Sequence, residues 1–149
     1  MSKSKRSIEE LVLMTDNYKL EINRLIPQAM LKNKQQSQLL AMNIVQFVST
    51  TEEIFNRVFH RLKGFRIKQH EMMTKIPEFG VSTEFLLAFE KLKLLRNRIV
   101  HQVHFTDPIF KYFSKNLRGL DHCQKMRLRL QTVVNTTKEE TYFVSSNSP

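Results

Sequence analysis

Apolar residues recur every three or four positions along most of this chain, the spacing of helices that bury one face. Leu11, Met14, Tyr18, Ile22, Leu25 and Ile26 form a first stripe. Ser7 precedes it as a cap, Glu9 and Glu10 occupy the first turn, and Pro27 is expected to kink or end the helix. After KNKQQS, a polar connection or a capped restart, a longer pattern carries Leu39, Leu40, Ile44, Phe47, Val48, Ile54, Phe55, Val58, Phe59 and Leu62. Gly64 should stop it. IKQHEMMTKI predicts a short amphipathic piece ended by Pro77 and Gly80, and VSTEFLLAFEKLKLLRNRIVHQV predicts a long helix capped at Ser82. FTDPIF interrupts it, and a last helix runs from Asp107-Pro108 through Phe110, Phe113, Leu117, Leu120, Met126 and Leu130 toward Val134. The expectation is an all-α fold, an antiparallel helical bundle of four long helices plus a short one. Residues 1–7 read as a basic flexible N-terminus, 8–134 as the helical domain, and 135–149 as a polar tail in which Tyr142-Phe143-Val144 could dock.

Composition narrows the function. Only 3 Gly and 4 Pro in 149 residues are too few for the turns of a sandwich or barrel. A net charge of +10 favours phosphate backbones or anionic surfaces as partners. Cys123, the only cysteine, permits no disulfide framework or thiolate zinc cluster, and is expected to be inert. No apolar run approaches the roughly 18 residues of a membrane span, and no apolar signal core follows MSKSKRS. A cytoplasmic protein without a membrane segment is expected.

The segment LLRNRIVHQV carries the candidate chemistry. On a helical wheel Phe85, Phe89, Leu92, Leu95, Ile99 and Val103 form the core stripe. Asn97, His101 and His104 fall together on the opposite side, which Leu87 and Leu94 share. Such a face suggests a second buried surface, in particular a partner subunit, with a polar pocket set into it. Arg96 lies about 140° from His101 on an ideal wheel. Its length still lets the two side chains converge on one cleft.

Arg96-Asn97-x-x-x-His101 resembles the R-N-x-x-x-H signature of the HEPN superfamily of small all-helical domains. The stretch PEFGVSTEFLLAFEKLKLLRNRIVH looks like the toxin subfamily paired with minimal nucleotidyltransferases in bacteria. About 25 residues carry the specific part of this resemblance, while the helix order over 8–134 supports it more broadly. The resemblance implies a homodimeric, metal-independent endoribonuclease, the toxin of a toxin–antitoxin or phage-defence module, with two motifs lining one cleft. Arg96, Asn97 and His101 would be catalytic and His104 auxiliary, with no cofactor and no metal. Histidine can exchange a proton with ribose and leaving oxygens near neutral pH, and arginine can grip a phosphate with two parallel hydrogen bonds. The alternative is a catalytically silent HEPN-like accessory subunit that binds a nucleotidyltransferase or a nucleotide.

One departure concerns control. Toxins of that subfamily usually carry Tyr two positions after the His, where the partner enzyme modifies them, and here the position is Val103. A protein antitoxin would then modify another hydroxyl, such as that of Tyr112, or simply mask the cleft.

The remaining charges have plainer readings. Arg61, Lys63, Arg66 and Lys68, with His60 and His70, form a solvated helix end or an RNA-contacting surface, and Arg98 a solvated or RNA-facing charge. That basic stretch would also serve a nucleic-acid-binding adaptor without chemistry. Glu52 and Glu53 are expected at the surface, with orientation of a basic group at the cleft as the sharper alternative.

Overall fold

The computed structural model describes residues 6–30, 34–100, 132 and 134–141. Helix α1 spans Ile8–Met30. Its cap is the one expected: the Glu10 N–H donates to Ser7 Oγ at 3.1 Å and the Leu11 N–H to the Ser7 carbonyl at 3.0 Å. Helix α2 spans Lys34–Lys63, and Gly64 ends it with φ 85°, its N–H donating to the His60 carbonyl at 2.8 Å. Helix α3 is the short Met72–Lys75, flanked by 3₁₀ turns at Gln69–Glu71 and Ile76–Phe79. Helix α4, Thr83–Val100, starts on Ser82, whose Oγ accepts the Phe85 N–H at 3.1 Å. The fold is helical, with no strand among the described residues.

Two hairpin relations set the architecture. Arg57, near the end of α2, donates to the Arg6 carbonyl at the start of α1, so these helices run antiparallel. Phe55 meets Phe85 and Phe89 at 5.5 and 6.0 Å between ring centroids, while Glu52 meets Arg96 further along α4. Thus α4 also runs opposite to α2. The core between the three long helices is aromatic, with Phe47, Phe55, Phe59, Phe85 and Phe89 fully buried beside Ile22, Ile26 and Ile44. Met72 and Ile76 close it from the α3 side.

Two expectations need correction. Pro27 does not end α1, which continues to Met30. Burial of Ile22, Leu25 and Ile26 outweighs the roughly 3 kcal/mol that a proline inside a helix costs. The polar tail expected from residue 135 is helical over 134–141 and packs onto the bundle. Val134, Thr137 and Thr141 are buried, and Lys138, 3% exposed, sets its ammonium 3.0 Å from Asp16 of α1. The Asn23 amide reaches Asn135 at 3.5 Å, and the Ser82 hydroxyl donates to Glu140. These polar partners let a sequence with little apolar content dock. The last long helix expected between Asp107 and Val134, the basic residues 1–5, Cys123, and the Tyr142-Phe143-Val144 stretch lie outside the described residues.

Candidate functional site

Arg96 is the centre of the site, and it is buried at 9% exposure. It sits on the core stripe of α4, between Leu92 and Ile99, where an isolated cation would be strongly unfavourable. Glu52 of α2 supplies the counter-charge. Arg96 Nη1 donates to Glu52 Oε1 at 2.7 Å and Nη2 to Oε2 at 3.3 Å, a fork-on-fork pairing. The third arm, Nε, donates to Asn97 Oδ1 at 3.0 Å. Lys93, one turn earlier, places Nζ 3.1 Å from Glu52 Oε2 and 5.9 Å from the centroid of the Phe89 ring.

Glu52 is therefore buried, not the surface residue expected for it. Burial alone would raise its pKa; the Arg96 hydrogen bonds and charge, helped by Lys93, outweigh that and hold the carboxyl below the usual glutamate value. Its neighbour Glu53, about a third exposed, is held low in the same way by Arg66 and Arg57, at 2.6 and 3.1 Å. A carboxylate with a depressed pKa stabilises the fold above its unfolded pKa of about 4.3, and that contribution is lost as pH falls through the lower folded value. Thermal stability is accordingly expected to drop on acidification below about pH 4.3, and less steeply in Glu52→Gln. Melting curves across that range check it; an equal acid slope in the variant would remove Glu52 from the linkage.

Of the sequence-predicted site residues, the structure brings Arg96 and Asn97 together. Asn97 is exposed, as is Arg98. His101, His104, Val103 and Tyr112 lie outside the described residues. Arg61, Lys63, Arg66 and Lys68 are all exposed around the turn that follows α2. Arg66 folds back onto Glu53, which ties it to the turn of α2 that also carries Glu52. Among the described residues no group of three or more His, Cys, Asp or Glu side chains is placed to hold a metal ion.

Sequence reasoning offered Glu52 as an orienting group for a basic side chain only as the alternative to a surface position, and it missed Lys93. The signal for Glu52 was its position: Val48, Glu52, Phe55 and Phe59 keep core spacing, so the carboxylate lies on the buried stripe. An acidic residue there calls for a cation from a facing helix.

No protein-family model, curated protein or solved structure matches the chain. No helix among the described residues is long and apolar enough to cross a membrane.

Proposed function

We propose that this protein is a HEPN-type endoribonuclease that needs no metal, acts as a homodimer, and serves as the toxin of a toxin–antitoxin or phage-defence module. The observation that carries this reading is the way Arg96 is held. Glu52 takes both ends of its fork and Asn97 takes the third arm, so a flexible side chain is fixed beside the second residue of the motif. Three of the guanidinium's five N–H groups serve those partners; the two left point outward on opposite edges of the group, so a scissile phosphate would take one of them. His101, four residues beyond Asn97 in the sequence, would accept the ribose 2′-OH proton. The 2′-oxygen then attacks phosphorus, the P–O5′ bond breaks with the imidazolium returning its proton to the departing 5′-oxygen, and a 2′,3′-cyclic phosphate remains. The charge of +10 gives affinity for the RNA backbone without base preference.

The test is incubation of the purified protein with RNA in EDTA, with the ends mapped afterwards. Expected are cyclic phosphate or 3′-phosphate ends and an untouched all-DNA strand. A strict magnesium requirement, or cleavage of the DNA, would overturn the mechanism.

A second reading is favoured by one observation. The Arg96 side chain is only 11% exposed and already has a carboxylate partner, as a purely structural clamp would be. On that reading the chain is a silent HEPN-like accessory subunit for a nucleotidyltransferase or a nucleotide. A stable complex with such an enzyme, without RNA cleavage, would mark it.

Dimerisation is part of the proposal. Leu87 and Leu94, two turns apart on α4, are 55% and 59% exposed beside Asn97. A second copy covering this face would bury on the order of 1,200–2,000 Å² in total. Light scattering should report a dimer at micromolar concentration and a monomer for Leu94→Glu. A wild-type monomer would count against the shared cleft.

A further inference from the structure

The turn that leaves α2 combines charge and an aromatic ring in a way the Arg96 site does not use. From Ile54 to His70 the chain carries Arg57, Arg61, Lys63, Arg66 and Lys68 and not one Asp or Glu. Cations in the last turn of a helix complement its dipole, which accounts for Arg61 and Lys63. It does not account for Lys68, beyond the turn, or for Phe65. Phe65 follows Gly64 directly and is 54% exposed. Its ring stands nearly perpendicular to that of the buried Phe59, at 73° and 5.2 Å between centroids. Just past it the chain is anchored twice: the Ile67 N–H donates to Asn56 Oδ1 at 2.9 Å, and Arg66 pairs with Glu53 at 2.6 Å. An exposed ring is thus held in a fixed orientation among cations, with Lys63 only loosely engaged by Glu78 at 3.9 Å.

We propose that the turn over 61–68 is a docking surface for single-stranded RNA, with the Phe65 ring as the platform on which an unpaired base stacks and Lys63 and Lys68 as phosphate contacts. This deepens the ribonuclease reading and rests on it for the choice of RNA as substrate. Stacking of a base on an aromatic ring tolerates any sequence but requires the base to be unpaired. An anionic membrane is the competing partner for such a surface. It fits less well, because a ring packed 5.2 Å from the buried Phe59 ring is held back from inserting past the neighbouring cations into acyl chains.

The experiment measures fluorescence anisotropy of a labelled oligouridine of about twelve nucleotides, a length within the range of single-strand sites. The full chain carries His101→Ala, so the probe stays intact. Phe65→Leu should weaken binding roughly tenfold or more, Phe65→Tyr should bind like the parent, and Lys68→Gln should weaken it through charge. Binding to a blunt RNA duplex of the same length should fall with Lys68→Gln but not with Phe65→Leu. Helical circular dichroism checks the fold, and the Tyr and Gln variants carry the test if Phe65→Leu fails to fold. Oligouridine binding that ignores both Phe65 and Lys68 overturns the proposal, as does a Phe65 effect of equal size on duplex. Phe65-dependent binding to phosphatidylglycerol–phosphatidylcholine vesicles, with none to oligouridine, overturns it in favour of a membrane surface. Phe65-dependent binding of oligouridine in the His101→Ala background, with no RNA cleavage by the protein that keeps His101, would sink the ribonuclease reading and leave this surface standing. Cleavage with Phe65-independent binding would do the reverse.

Discussion

Glu52→Ala is expected to lower the unfolding free energy by about 3–5 kcal/mol, because it leaves the buried Arg96 guanidinium without its counter-ion. For a chain of this size that is a drop on the order of 10 °C in melting temperature. Lys93 also loses a partner, but its long stem can carry the ammonium outward to water. Arg96 lies deeper in the stripe and would have to leave its packing against α2 to do the same. The double variant Glu52→Leu, Arg96→Met should recover most of the loss, since an apolar pair of similar volume is often as stable as a buried ion pair. Urea unfolding of both singles and the double gives the coupling directly. A single-variant loss below about 1 kcal/mol would mean that water screens the pair as it does on a surface.

The parts of the fold that depend on near neighbours were readable. Ser7 and Ser82 cap their helices through N–H groups three residues on, and Gly64 and Gly80 end theirs with φ of 85° and 76°. Those outcomes need nothing from the rest of the chain. Of the two outcomes expected at Pro27, an end to the helix does not occur, because the proline's local cost is offset by packing of Ile22, Leu25 and Ile26. Residues 135–141 were misread for the related reason that Thr137, Lys138 and Thr141 look like solvent-facing residues. Lys138 is buried with its ammonium 3.0 Å from Asp16 on α1, and the Thr141 hydroxyl is buried while donating to the Thr137 carbonyl at 2.8 Å. The candidate site divides the same way. Arg96 and Asn97 were visible as adjacent letters, whereas the Glu52 contact spans 44 residues and requires knowing which faces of α2 and α4 meet. The spacing of Glu52 from Val48 and Phe55, and of Arg96 from Leu92 and Ile99, would have put both on buried stripes, and a search for opposite charges on facing stripes would then have paired them.

Arg96→Lys is expected to reduce RNA cleavage by about a hundredfold or more, the loss typical of removing a donor that stabilises charge in the transition state. The exchange keeps a positive charge opposite Glu52, so the carboxylate is not abandoned and most of the stability should remain. An ammonium has no planar fork: it cannot span both Glu52 oxygens, reach Asn97, and still direct a further N–H to a phosphate. His101→Ala should lose about as much by removing the general base, for which factors of about 10²–10⁴ are usual. The two variants differ in what they leave intact, and that separates the competing readings. If Arg96 acts on the transition state, Arg96→Lys lowers kcat with the melting temperature little changed. If Arg96 is only a clamp, cleavage follows the fraction of folded protein and survives the exchange. A Lys variant that cuts at the wild-type rate while His101→Ala is inert would reduce Arg96 to a structural partner of Glu52. Wild-type rates in both would remove the motif from the chemistry altogether.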